Sequence, residues 1–155
     1  MGRVRRQTMK TNELYSHIWL SRMWGKDKEI GEDVALRDKL NEWGVGVYDA
    51  NHIPNKTDSN TSESKFIEYT ILSAEIDKQI EEYLREIQRT DAVIRQVDNA
   101  LFRGILKAWY INRKSWKDIG KDYHYEKTQV YELRNKALSA VYPFIPEGEV
   151  NLDEY

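Results

Sequence analysis

The chain of 155 residues contains no cysteine. That absence excludes a disulfide framework, a thiolate nucleophile and a Cys-based zinc finger, and it suits a reducing compartment. No run approaches the ~18–20 apolar residues that a membrane span requires, and no apolar signal-peptide core opens the chain. Arg6 stands where a myristoylation motif wants Ser or Thr. A soluble, cytoplasmic protein is expected. Histidine is scarce, and His17, His52 and His124 fall on separate elements without ligand spacing, so no metal is expected. There is no glycine-rich phosphate loop, because Gly44-Val45-Gly46 lacks the Gly or Lys pattern that would have to follow it. Carboxylates are plentiful, but Glu81, Glu82 and Glu86 lie on an acidic helix face and read as solvated. With no catalytic constellation, neither enzymatic activity nor a cofactor is expected.

What is present points to a packed protein. Hydrophobic residues make up 40% and aromatic residues 12% of the chain, enough apolar surface for a core beside 32% charged residues. The length accommodates one domain or two small ones and excludes a large multidomain enzyme. A net charge of −2 speaks, as an average, against a nucleic-acid binder. The average hides a pattern: residues 1–10 carry +4, 11–61 carry −3, 62–101 carry −4, 102–146 carry +5 and 147–155 carry −4. A basic block between acidic ones points to a nucleic-acid partner for that block.

Apolar spacing predicts an all-α fold. Residues 1–11 are basic and aperiodic and read as a flexible arm, whose Arg3, Arg5 and Arg6 either stay solvated or track a minor groove or phosphates. An N-terminal helical region over 12–43 contains one helix with Leu14, Tyr15, Ile18, Trp19 and Met23, stopped by Gly25, and a second over about 29–43. Residues 44–64 collect Gly, Pro, Asn, Ser and Thr and read as a polar linker. Over 65–100 a long helix is expected. Its heptad runs through Phe66, Tyr69, Ser73, Ile76, Ile80, Tyr83, Ile87, Thr90, Ile94, Val97 and Leu101, with nine of those eleven positions apolar or aromatic. The seam serves either one or two helices packed within the chain or a coiled coil that makes a homodimer through 66–101. Thr90-Asp91 offers an N-cap at which the helix could break.

After Leu101 the spacing changes. Leu101, Ile105, Leu106, Trp109, Tyr110 and Ile111 mark an amphipathic helix, Asn112-Arg113-Lys114 a turn, and Ser115 an N-cap for a helix through Trp116, Ile119 and Tyr123. His124-Tyr125 makes the next turn. Glu126 opens a last helix through Val130, Leu133, Ala137, Leu138 and Val141, which Pro143 and Pro146 terminate. Two helices joined so tightly have the dimensions of a helix-turn-helix. The stretch SWKDIGKDYHYEKTQVYELRNKALSAV, from Ser115 to Val141, resembles the helix-turn-helix of region 4 of bacterial sigma factors without a gap, with Gly120 in the small-residue place where the helices cross. Together with Leu106–Ser115 it also resembles phage transcription regulators of the ArpU and RinA type. Glu126 and His124 depart from the pattern, which usually has Ser or Thr at the first place and a small residue at the second.

The resemblance implies that residues 101–146 form a DNA-binding domain. Lys127, Thr128, Gln129, Tyr131 and Glu132 take the DNA-facing positions, and Gln129 can pair with adenine, Lys127 with guanine or phosphate and Glu132 with a cytosine amino group. Arg113, Lys114, Lys117, Arg134 and Lys136 are cast as phosphate contacts. The implied function is a sequence-specific, double-stranded-DNA-binding transcription regulator, a phage late-gene activator working with host RNA polymerase in a bacterial cell. The alternatives are a packaging protein similar to a terminase small subunit and a helical adaptor that binds only protein. On the structural alternative, 115–141 is two packed helices with a solvated basic face. The acidic tail, 147–155, is expected to be unstructured and, with the other acidic parts, to suppress indiscriminate phosphate contacts by the basic block.

Overall fold

A computed structural model describes residues 10–42 and 56–155, and every element in them is helical. The order is α1 (Thr11–Leu20), α2 (Trp24–Glu42), α3 (Lys56–Ile94), α4 (Ala100–Leu106), a π-helical turn (Lys107–Ile111), α5 (Trp116–Tyr123) and α6 (Lys127–Val141). Single 3₁₀ turns follow at Tyr142–Phe144 and Leu152–Glu154. The all-α class and the long central helix are as expected. No helix among the described residues is long and apolar enough to cross a membrane. Two compact units emerge, one made of residues up to Met23 with Glu86–Tyr155, the other of Trp24–Arg85.

The first unit is built around α6. Val130, Ala137, Leu138 and Val141 recur at helical spacing and are buried, as are Ile105 and Leu106 of α4, Tyr110 of the π-helical turn and Ile119 of α5. α1 packs on α6 and is tied to it by polar contacts: Ser16 Oγ donates to the Leu138 carbonyl at 2.9 Å, and Ser139 Oγ donates to Glu13 Oε1 at 3.0 Å. The sequence groups α1 with the rest of 12–43, whereas the fold places it with 101–146. Its partner surface lies more than a hundred residues away, which no local pattern encodes.

The end of α1 also differs from expectation. Gly25 does not stop it, since the helix ends at Leu20 and Gly25 lies inside α2. The hydroxyl of Ser21 donates to the His17 carbonyl at 2.7 Å and its N–H to the same oxygen at 3.0 Å, satisfying an end group that a following turn would otherwise lack. The acidic tail is ordered as well. Arg89 Nη1 and Nη2 each donate to Glu149 at 2.7 Å, and Trp19 Nε1 donates to Glu149 Oε2 at 3.3 Å. The Arg22 guanidinium stacks 3.8 Å from the Trp19 ring centre and pairs with Glu86 at 2.9 Å. An open cleft of about 490 Å³ lies between α1 and this tail.

In the second unit, α2 begins at Trp24, several residues before the expected start, and α3 begins at Lys56, inside the stretch read as linker. Helix penalties of Ser, Thr and Asn are only a few tenths of a kcal/mol each, and extending an existing helix is easier than starting one. Residues 1–9 of the basic arm, residue 43 of the N-terminal helical region and 44–55 of the linker lie outside the described residues.

Within α3, Ile76, Thr90 and Ile94 of the heptad are buried, Tyr69, Ser73, Ile80, Tyr83 and Ile87 are half-buried, and Phe66 is exposed. The seam is thus buried within the chain at three positions, partly covered at five and open at Phe66. Nor does the helix break at Thr90-Asp91, because Thr90 Oγ1 donates back to the Glu86 carbonyl at 2.9 Å from inside the helix. It ends at Ile94, leaving Val97 and Leu101 beyond it. Asn99 then caps α4, its Oδ1 accepting from Leu101 N at 2.9 Å and Phe102 N at 3.2 Å.

Candidate nucleic-acid interface

α5 and α6 are set by local chemistry. Ser115 has an extended backbone, and its Oγ accepts from Asp118 N at 3.2 Å, the cap expected at the start of α5. α5 ends at His124, whose φ of 60° and ψ of 43° reverse the chain in the left-handed region, and Tyr125 N donates to the Gly120 carbonyl at 2.8 Å. Glu126 occupies the N-cap of α6. Its N–H donates to Gln129 Oε1 at 3.0 Å, so the residue three places on closes the helix start where Ser or Thr is usual.

Gly120 is essential to this turn, though for a different neighbour than expected. A Cβ there would lie 2.5 Å from the Tyr125 carbonyl oxygen and 3.6 Å from a methyl of Val130. The close approach is to the backbone between the helices before it is to α6 itself. Behind the turn, Ile105, Ala108, Ile119 and Val130 form a buried cluster on which Leu101, Trp109, Trp116, Tyr123 and Tyr125 pack.

The expected DNA contacts divide into two groups. Lys127, Thr128, Gln129, Glu132 and Lys136 of α6 are exposed, as are Arg113 and Lys114 of the preceding loop and Lys117 of α5. Lys114 Nζ pairs with Asp122 at 3.1 Å across the surface, a contact weak enough for a phosphate to replace. Lys127 and Lys117 lie 5.4 Å and 5.8 Å from the Trp116 ring centre, within cation–π range.

Arg134 and Tyr131 are placed otherwise. The Arg134 guanidinium carbon sits 4.7 Å from the Trp109 ring centre and 5.0 Å from that of Tyr131, and the two rings meet edge to face at 5.3 Å. Both α6 residues are half-buried. Arg134 is thus a stacked side chain and not a freely projecting phosphate contact; the reason is that residue 134 falls on the flank of α6 beside Leu138 and Val141. Gln129 remains exposed, but its carbonyl oxygen is engaged at the helix start. Two residues that the sequence does not single out for this face are Trp109 and Asn135, whose Oδ1 accepts from Arg134 Nη2 at 3.2 Å and Nε at 3.4 Å. Helical spacing sets Asn135 on the same side as Thr128 and Glu132, although it is half-buried and they are exposed.

Inward of Arg134, the Tyr110 hydroxyl and His17 Nδ1 share a hydrogen bond of 2.7 Å. Burial, then the Arg134 charge, holds the His17 pKa below its ordinary value. Burial pushes the Tyr110 phenol well up, against the opposing effect of Arg134. Among the described residues, no three His, Asp or Glu side chains converge as a metal site would require. No family model, curated protein or solved structure matches the chain.

Proposed function

We propose that the protein is a sequence-specific, double-stranded-DNA-binding transcription regulator, a phage late-gene activator that works with host RNA polymerase. The observation that carries this reading is the outer face of α6. It presents Lys127, Thr128, Glu132 and Lys136 to solvent beside Arg113, Lys114 and Lys117, while its inner face is locked into the core. A helix so mounted fits the major groove with its N-terminal side chains foremost. The flanking cations, on a different element from the reading residues, suit phosphates on either side. The sigma-factor-like spacing from Ser115 to Val141 supports the same assignment and supplies the link to polymerase.

The reading is tested by equilibrium binding of the full chain to duplex DNA across a salt series. Each phosphate contact contributes about −0.9 to the slope of log affinity against log salt. Lys114→Ala and Lys117→Ala are each expected to flatten the slope by about one while leaving sequence preference intact. No retained duplex at low salt would refute DNA binding and leave the protein-only adaptor. A footprint on a packaging site, with ring-sized particles in light scattering, would replace the activator with the terminase-like alternative.

A further inference from the structure

We infer that Asn135 is a base-reading side chain of α6 and that Trp109 is its positioning residue, acting through Arg134. The inference rests on the DNA-binding reading above and names which group of that surface distinguishes one base from another. Thr128, Glu132, Asn135 and Lys136 follow one another at intervals of four, three and one on one side of α6, with Asn135 half-buried beside three exposed neighbours. Of these four, only Asn135 carries a donor and an acceptor on one planar group, the pairing that matches adenine N6 and N7 in the major groove. The other carboxamide, Gln129, has its oxygen on the Glu126 N–H at 3.0 Å, a bond that closes the start of α6 and would be lost if that oxygen turned to a base.

A short carboxamide reads a base only if its plane is held, and the structure holds it. Arg134 Nη2 and Nε both donate to Asn135 Oδ1, at 3.2 Å and 3.4 Å. An adenine N6 amine reaches that oxygen by replacing the longer of the two bonds, the one from Nε, while Nδ2 donates to N7. Arg134 in turn is kept from wandering by Trp109 and Tyr131, whose ring centres lie 4.7 Å and 5.0 Å from its guanidinium carbon. A free Arg side chain has wide rotamer freedom, and stacking a planar guanidinium on two rings removes much of it before DNA arrives. Trp109 stands in the π-helical turn, where the Asn112 N–H reaches back five residues to the Lys107 carbonyl at 2.9 Å. Such a turn rotates side chains out of α-helical register and is found where a side chain must be re-aimed. The chain of contacts runs from Trp109 to Arg134 to Asn135.

The test is selection of duplexes from a random pool by the full-length protein, followed by the same selection with variants, read base by base. Asn135→Ala is expected to relax one adenine position about tenfold while the other positions keep their preferences. Trp109→Leu and Arg134→Lys are expected to relax that same position, and to add nothing in an Asn135→Ala background. Trp109→Phe, which retains an aromatic face, restores the preference. Should Trp109→Leu fail to fold, Arg134→Lys carries the same test, because it keeps the charge and removes the planar stack. A uniform loss of affinity at all positions, or an unchanged motif in Asn135→Ala, would overturn the inference while leaving DNA binding intact. A wild-type chain that enriches nothing would overturn both.

Discussion

Gly120 and Gly104 show how a single hydrogen in place of a methyl is decided by what surrounds it. At Gly120 the obstacle is the backbone oxygen of Tyr125, which cannot step aside without moving the turn. At Gly104 the obstacle is the phenolic end of Tyr123, a side chain that can swing. Gly120→Ala is therefore expected to lower stability by about 1–3 kcal/mol in urea unfolding, and Gly104→Ala by less. Equal losses would contradict the distinction. Gly120 was legible in the sequence as a place needing a small residue, although its true neighbour was not; Gly104 was not legible, because its constraint comes from Tyr123 on another helix. His124 sits at φ 60°, where a Cβ is unfavourable, so His124→Gly is expected to leave stability unchanged or raise it by up to about 1 kcal/mol. At His17 the folded state resists a proton that the unfolded state accepts, because burial and then Arg134 depress its pKa below 6.5. Stability from this residue is thus present above that pH and declines as the pH falls through 6.5 toward the folded value. Urea midpoints measured from about pH 7.5 down to pH 5 are expected to fall less steeply in His17→Gln than in the wild type.

The elements were read unevenly, and the unevenness follows from where each boundary gets its cause. α5 and α6 were legible because their ends are written in adjacent residues: Ser115 as cap, His124-Tyr125 as turn, Glu126 ahead of the last helix. The end of α1 and the start of α2 were not, since Gly25 is a weak stop once Ser21 completes the preceding turn. The heptad of α3 marks the more buried side of the helix, open at Phe66, but its spacing runs on past Ile94, where the helix ends and Asn99 starts a new one. The tail was misread because its acidic composition suggested solvation, while Glu149 has a fork of donors from Arg89 and a third from Trp19. The hydrogen bonds from Arg89 hold the Glu149 carboxyl below its ordinary pKa. Its contribution is present above the ordinary carboxylate range and disappears as the pH falls through the folded value. Because both side chains are partly solvated, Glu149→Gln is expected to cost no more than about 1 kcal/mol at neutral pH, and nothing once the carboxylate is protonated. A melting difference that persists unchanged in acid would contradict the ion-pair account.

Across the molecule, the near-neutral net charge of −2 combines a basic segment at 102–146 with acidic segments elsewhere, and that division was visible in the sequence. What was not visible is that the basic segment is incomplete without α1, whose Ser16 and Glu13 bond to α6 and whose Trp19 is fully buried. A fragment of residues 102–146 is accordingly expected to unfold with less cooperativity than the full chain. The central claim is that the outer face of α6 reads duplex DNA, and selection from a random duplex pool with the full-length protein tests it most directly. A single short motif is expected, bound at least ~10³-fold more tightly than unrelated duplex. That preference should be lost in a combined Lys127→Ala, Glu132→Ala, Lys136→Ala variant whose melting profile stays native. Enrichment of no motif, or the same motif from that variant, would contradict the claim.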